Sequence, residues 1–194
     1  MRALCEMNRI HFLILTIALT IINQDIAMSQ ESRTEKIDTP DGQIDTTVKT
    51  VDPTPQKITI ASAEVVQAFD SYASKGRKFV TTFVPEVEKL TLKDFDLAFK
   101  LWQHQSKSNY TEQQVIEILG AYLGSKLIKD YEMEWVLVED EYGTDYAVRG
   151  IKFEVMSFPF SSVLKRIENN ENDFMFGVYH TVGSSLKSGN YKAR

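Results

Sequence analysis

Ser162 and Lys165 are the residues whose types and spacing come nearest to a known catalytic arrangement. They spell Ser-x-x-Lys, and a Lys-Ser-Gly triplet follows at residues 187–189. In enzymes that use these patterns, the Ser begins a helix, a Lys one turn later takes its proton, and a second Lys helps to hold the substrate carboxylate. No Ser-x-Asn motif lies between the two patterns here. The alternative interpretation is that Ser161 or Ser162 begins an ordinary helix and Lys165 is solvated.

Acidic side chains surround a predicted hairpin turn, and their oxygens are the ligand type that Ca²⁺ prefers. A calcium loop also needs several oxygens that converge on one point, with a fixed spacing of acids and a glycine. That spacing does not occur here, so we predict no metal site and interpret Asp140 as a turn residue that hydrogen-bonds the loop backbone. The acidic residues are Glu139, Asp140, Glu141 and Asp145.

Histidine and cysteine are scarce. His104 and His180 are the only histidines beyond residue 29, and Cys5 is the single cysteine. A zinc site needs three or four ligands. The chain also has neither a Gly-rich phosphate loop nor a Gly-x-Ser-x-Gly elbow. We therefore expect no metal and no cofactor.

The first 29 residues have the pattern of a secretory signal peptide. Arg2 and Arg9 precede a mostly apolar run at residues 10–22, and small residues follow it. The run is shorter than the roughly 20 apolar residues that a membrane-spanning helix needs. We expect cleavage near residue 29, no stable transmembrane anchor afterwards, and a periplasmic or secreted protein. Met1 and Met7 are both open as the true start.

The expected mature chain is acidic and has no cysteine, because Cys5 leaves with the signal peptide. Its net charge stays at −5, since the signal peptide contains as many basic as acidic residues. An acidic chain without a basic stripe is a poor binder of nucleic acid. Without disulfides, the domain must be held together by its apolar core.

Three segments follow the signal peptide. Residues 30–57 are rich in Thr, Asp, Gln and Pro, which predicts a disordered polar linker. Residues 58–187 form a single predicted domain, and residues 188–194 a tail. Within the domain, apolar periodicity predicts three helices, then a three-stranded antiparallel meander, then two helices. This order predicts an α+β fold with the helices on one face of a small sheet.

Individual elements have recognisable start and stop signals. Apolar spacing predicts a helix over residues 61–75, with Gly76 ending it. Thr91 begins a second helix, and Thr111 with Gln114 makes a capping-box pattern for the third. The predicted strands are 134–140, 146–148 and 151–155, and the last two helices are predicted to begin at Pro159 and at Asn172 or Asp173.

Gly120 and Gly124 lie four residues apart on the third predicted helix. A glycine inside a helix costs about 1 kcal/mol relative to alanine. Close packing of this helix on the sheet would offset that cost. Lipid contact is disfavoured because the same helix carries several charged residues.

Three runs in the second half of the chain resemble a bacterial family known as domain of unknown function 3806. They lie at residues 119–124, 134–140 and 158–163, and the resemblance covers about residues 119–182, within a family-like core of about 111–182. The family has no established activity. The resemblance therefore implies a fold unit and no particular chemistry.

The region that resembles the family contains the residues to consider as a binding site. Trp135, Asp140 and Arg149 are the binding candidates, and Lys165 joins them from the Ser-x-x-Lys pattern. Each also has a structural interpretation: Trp135 as core, Asp140 as a turn residue, Arg149 as the partner of a local acid and Lys165 as surface.

These observations favour a non-catalytic module of the bacterial envelope that binds an envelope protein or component. One alternative is an envelope hydrolase that assembles Ser162, Lys165 and Asp140. Another is a periplasmic inhibitor or immunity protein that binds a toxin. The sequence leaves the ligand and the oligomeric state open.

Overall fold

The computed structural model describes residues 31–40, 42–50, 55–105 and 108–187. The predicted signal peptide and the tail at residues 188–194 lie outside this range. In chain order the elements are β1 (Glu31–Thr39), β2 (Gly42–Thr50), β3 (Lys57–Ile60), α1 (Ala63–Ser74), α2 (Gly76–Phe83), α3 (Leu92–Gln103), α4 (Glu112–Tyr131), β4 (Met133–Asp140), β5 (Gly143–Gly150), β6 (Met156–Ser157), α5 (Pro159–Glu168) and α6 (Met175–Lys187).

The predicted α+β class is confirmed. Strands β3, β4, β5 and β6 form one antiparallel sheet in chain order. Strands β1 and β2 pair separately as an antiparallel hairpin, and β1 packs against α6. No helix in the part of the chain that the structure describes is both long and apolar enough to cross a membrane.

The main core lies between the helices and the inner face of the sheet. Trp135 on β4 pairs with Val148 on β5, and both side chains join the buried residues of the helices. The ring of Phe69 on α1 lies 4.7 Å from the ring of Trp135 and 4.9 Å from that of Phe160 on α5, between centroids. This aromatic cluster joins two helices to the sheet. A smaller buried cluster on the other face consists of Val136, Val138 and Ala147.

Capping boxes begin two of the central helices. Thr91 Oγ1 accepts the backbone N–H of Asp94, whose carboxylate accepts the N–H of Thr91 at 2.7 Å. Thr111 and Gln114 make the same reciprocal pair at the start of α4. These bonds satisfy backbone N–H groups that have no partner within the helix. Both predicted helix starts are confirmed.

The two glycines of α4 lie at close contacts. A Cβ at Gly124 would overlap the ring of Trp135, and a Cβ at Gly120 would overlap Phe160. The predicted close approach to the sheet is confirmed for Gly124. The missing side chain at Gly120 instead leaves room for Phe160 at the start of α5.

The stretch predicted as a disordered linker contains strands instead. Residues 31–39 and 42–50 form the β1–β2 hairpin, and Ile37 within it is only 7% exposed. Thr and Ile occur in both strands, and Val48 lies in the second. Pro-Asp-Gly at residues 40–42 is a favourable turn sequence. Gly42 adopts a φ of 122°, which few other residues tolerate. The polar composition concealed this strand pattern. The hairpin is also stabilised by packing of β1 against α6.

The apolar periodicity of the sequence did not predict α2, the helix that begins at Gly76. This glycine does not end the helical region but opens α2. A Cβ here would come within 2.9 Å of Tyr122 and 3.1 Å of Phe95. The glycine therefore serves close packing, a role that its helix-breaking tendency concealed.

The predicted third strand at residues 151–155 is wrong. The N–H of Val155 donates to the carbonyl of Phe153 at 2.9 Å, which closes a tight turn, and β6 follows it. Ile151 and Phe153 are 51% and 37% exposed. These residues alternate with charged ones, which is also the pattern of a half-buried strand, and this explains the wrong prediction. The sheet gains β3 instead, whose Ile58 pairs with Val138.

Candidate functional site

Ser162 and Lys165 both lie on α5, and within the described residues no hydrogen bond joins them. The Ser162 hydroxyl donates to the backbone carbonyl of Phe158, one turn earlier, at 2.8 Å. Lys165 is exposed. A hydroxyl that bonds a carbonyl of its own helix is a local arrangement common to Ser and Thr. A catalytic role for the two residues stays a prediction.

Ser161 makes the contact that the sequence did not indicate. Its hydroxyl donates a hydrogen bond to the carboxylate of Asp145 on β5, which also accepts the backbone N–H of Tyr146 at 2.7 Å. Burial raises the pKa of Asp145, while the bonds from Ser161 and Tyr146 and the charge of Lys165 act in the opposite direction. The sequence placed Asp145 among the acids near the hairpin, but no spacing rule pointed to its partner on α5.

This contact links β5 to α5 through partly buried polar groups. A serine nucleophile needs a base for its hydroxyl proton and donors that stabilise an oxyanion. The Asp145 carboxylate supplies an acceptor, and Lys165 supplies a nearby positive charge. The contacts of Ser161 therefore supply two parts of a serine site, which are an acceptor for the hydroxyl proton and a nearby positive charge.

The three binding candidates occupy structural positions. Trp135 is 4% exposed in the core. Asp140 accepts the N–H of Tyr142 at 2.9 Å, which forms the turn after β4. Arg149 donates to the carboxylate of Glu134 at 2.7 Å across paired strands. Each structural interpretation agrees with these contacts, and a binding role for the three residues stays a prediction.

Both described histidines lie in ordinary helical surroundings. His104 follows α3 and its Nδ1 lies 2.7 Å from the carbonyl of Lys100. The His180 ring lies 4.3 Å from the ring of Phe176. Among the residues that the structure describes, no group of three or more His, Cys, Asp or Glu side chains is arranged to hold a metal ion.

A cleft of about 360 Å³ lies between the β1–β2 hairpin, α3 and the start of α6. We call it the α3–α6 cleft. Its volume falls in the range of small-ligand sites, roughly 300–1,000 Å³. The hairpin contributes Ile44, helix α3 contributes Lys93, Leu97 and Lys100, and the opposite wall contains Phe176 and residues just before α6.

Asp96 on α3 lies against this cleft and is 8% exposed. Its carboxylate accepts the backbone N–H groups of Phe174, Met175 and Phe176, at 3.2, 2.8 and 3.0 Å. Burial raises the pKa of Asp96 to about 6, although these three bonds act in the opposite direction, and the charge of Asp173 raises it further. The positive end of α6 is thus occupied by a carboxylate of the protein itself.

Charges of both signs line the cleft. Lys93 Nζ lies 4.9 Å from the centre of the Phe176 ring. Within the described part of the chain, neither the Lys100 ammonium nor the Asp173 carboxylate has an ion-pair partner. Leu97, on the same helix as both lysines, is 45% exposed. A concave surface with a few convergent polar groups around apolar side chains is typical of a ligand site.

A second cavity of about 430 Å³ lies beside the ends of α3 and α5. The Gln103 amide there donates to the carbonyls of Arg166 and Glu171, at 3.3 and 3.2 Å. Trp102 donates to the carbonyl of Tyr110 at 3.2 Å. These donors already link one element to another, so the α3–α6 cleft is the better candidate.

The fold and the cleft define a small α+β protein with a candidate ligand site between two helices. Residues 94–179 match the model of the family described as Domain of unknown function (DUF3806). The match confirms the resemblance and extends it towards the N-terminus. It begins on α3 and ends on α6, so it includes most of the cleft but not the hairpin. Comparisons with curated proteins and with solved structures gave no match.

Proposed function

We propose that the protein is an exported, non-catalytic binding module of the bacterial envelope, and that its ligand occupies the α3–α6 cleft. One observation carries the proposal. The Lys100 ammonium and the Asp173 carboxylate line the same cavity, and neither has an ion-pair partner in the described residues. A ligand that bridges such groups gains charge-assisted hydrogen bonds without disturbing existing pairs.

The apolar part of the cleft supports the same function. Leu97 remains 45% exposed although it lies next to the buried Asp96. Covering it with a ligand would remove apolar surface from water, at about 25 cal/mol per Å². Polar groups then fix the orientation of the ligand, while the apolar contact adds to its affinity.

Export rests on the N-terminal sequence. Arg2 and Arg9 precede the apolar run at residues 10–22, which is the order of a signal peptide. Expression of the full chain in a bacterial host, followed by fractionation and intact-mass measurement, tests it. We expect the periplasmic or secreted fraction to contain a protein that lacks about 29 residues, in accord with a signal peptide of ordinary length. Full-length mass in the cytoplasm alone would contradict export.

Binding is tested on the protein recovered from that expression. Native mass spectrometry after incubation with a small-molecule extract of bacterial envelope should reveal a one-to-one adduct. The adduct should be lost in Leu97→Asp/Lys100→Glu, which changes the charge and apolar surface of the cleft at exposed positions. Lys78→Ala, an exposed lysine on α2, is the control that keeps it. Failure to observe an adduct, or an adduct that survives in the cleft variant, would refute the proposal.

A serine hydrolase is the second candidate, and the hydrogen bond from Ser161 to Asp145 favours it. A fluorophosphonate probe reacts with activated serines. On this alternative the protein is labelled, and Ser161→Ala removes the label while Ser162→Ala retains it. Labelling lost only in Ser162→Ala would instead support the Ser-x-x-Lys interpretation. An unlabelled protein would eliminate both.

A further inference from the structure

We infer that the ligand of the α3–α6 cleft is a short peptide with free termini and an apolar side chain, an inference that rests on the proposed function. A zwitterion of this kind matches three features of the cleft. They are cationic side chains on α3, an acidic and an amide side chain before α6, and an apolar surface contributed by three elements.

The carboxylate end of the ligand is assigned to Lys93 and Lys100. The other positive feature beside the cleft is the N-terminus of α6, and Asp96 already accepts three of its backbone N–H groups. A second carboxylate placed there would face that of Asp96. The two lysine side chains are exposed on α3 and line the cavity, so the ligand carboxylate binds on their side.

The ammonium end is assigned to Asp173 and Asn172, which line the cavity just before α6. An ammonium group has three donors and no acceptor, and a carboxylate with an amide oxygen beside it supplies acceptors for them. Asp173 is exposed and has no ion-pair partner among the described residues. The position also favours a cation because the Asp96 carboxylate lies nearby.

The apolar side chain is assigned to the surface formed by Leu97, Phe176 and Ile44. These residues come from α3, α6 and β2 and line the same cavity. A purely anionic ligand would leave this surface uncovered and would face Asp96 and Asp173. A purely apolar ligand would desolvate the charged groups without pairing them, which is unfavourable.

The volume limits the size of the ligand. About 360 Å³ lies near the lower end of the range for small-ligand sites, roughly 300–1,000 Å³. A folded partner would bury a larger and flatter surface. A short peptide fits the cavity and presents both charges within its length.

The test is calorimetric titration of the recovered protein with the dipeptide leucyl-leucine, its N-acetyl form and its C-terminal amide. We expect the free dipeptide to bind, and each blocked form to bind about tenfold more weakly, as the loss of one charged hydrogen bond implies. Lys100→Ala should weaken the preference for the free carboxylate, because Lys93 alone then faces it, but keep the preference for the free amine. Asp173→Asn should do the reverse, and Lys78→Ala should change neither.

The outcomes separate this inference from the proposed function. Equal affinity for the free and blocked dipeptides overturns the zwitterion assignment. If no dipeptide binds while an envelope adduct is lost in Leu97→Asp/Lys100→Glu, the inference fails and the binding module stands. If neither binds, both fail. Thermal melts of Lys100→Ala and Asp173→Asn check that these exposed substitutions leave the fold intact.

Discussion

The carboxylate of Asp96 on α3 accepts the backbone N–H of Met175 at 2.8 Å, across 79 positions of the sequence. Together with the N–H groups of Phe174 and Phe176, this contact makes Asp96 the N-terminal cap of α6. The residue directly before α6 is Phe174, which has no side-chain acceptor. A cap supplied by another helix fixes the start of α6 and the adjacent wall of the α3–α6 cleft together.

Replacing Asp96 with Ala should therefore destabilise the whole domain. The substitution leaves buried N–H groups of α6 without their acceptor. A buried unsatisfied group costs about 1–3 kcal/mol and a lost cap about 0.5–2 kcal/mol, so we expect a loss of about 2–4 kcal/mol in the free energy of unfolding. Urea denaturation followed by circular dichroism measures it. Asp70→Ala, an exposed acid on α1, is the control, and equal small losses in both variants would disprove the capping role.

Asp96 also predicts a dependence of stability on pH. Its pKa is about 6 in the folded protein, against about 3.9 for Asp in an unfolded chain. Between these values the folded state holds a proton that the unfolded state has released. The free energy of unfolding should therefore fall as the pH rises from about 4 to about 6, by about 2–3 kcal/mol from this group.

The comparison that isolates this group is the wild type against Asp96→Asn, because Asn does not titrate. Urea midpoints at several pH values should fall more steeply in the wild type. Burial raises the pKa of Asp145 as well, but that group is common to both proteins and cancels in the difference. Parallel curves would mean that Asp96 does not titrate in this range.

The parts of the fold that the sequence predicted correctly are those with local signals. Thr91 and Thr111 are followed three residues later by Asp94 and Gln114, and these pairs form capping boxes. Gly143 has the positive φ, 133°, that its place in the hairpin requires. In each case the residues that determine the structure are close together in the chain, so a pattern of a few letters contains the whole interaction.

The parts that were missed depend on distant partners. Gly76 is tolerated at the start of α2 because Tyr122 and Phe95 occupy the space of a side chain. The β1–β2 hairpin is placed by its packing on α6. Ile151 and Phe153 alternate as in a strand, yet neither belongs to a strand of the described sheet.

The candidate site was missed for the same reason. No local pattern in the sequence marks Asp96, because it lies on an otherwise ordinary amphipathic helix and its partners at the start of α6 are 78 to 80 positions away. Lys100 and Asp173 approach one cavity only after α3 and α6 pack. The one local sign was a charged residue at a position that faces the core, since Asp96 follows Phe95 and precedes Ala98 and Phe99, which are buried.

Ser161→Ala should raise the pKa of Asp145 further above its ordinary range. The Ser161 hydroxyl bonds the carboxylate and lowers this pKa, and removal of that donor leaves burial less opposed. Stability should also fall by about 1 kcal/mol for the lost hydrogen bond. An NMR titration of the Asp145 carboxyl measures the pKa. Ser162→Ala, whose hydroxyl bonds Phe158 instead, should leave it unchanged, and equal shifts in both variants would argue against a specific Ser161–Asp145 contact.

Gly124→Ala and Gly177→Ala should change stability in opposite directions, although both add one methyl group to a helix. At Gly124 the new Cβ would overlap the ring of Trp135, whereas at Gly177 on α6 nothing lies within 4 Å of it. Overpacking costs about 1–3 kcal/mol and outweighs the gain in helix propensity at Gly124. At Gly177 the gain of up to about 1 kcal/mol remains. Thermal and urea unfolding of both variants measures the difference, and stabilisation by Gly124→Ala would show that α4 does not lie against Trp135 as closely as the structure places it.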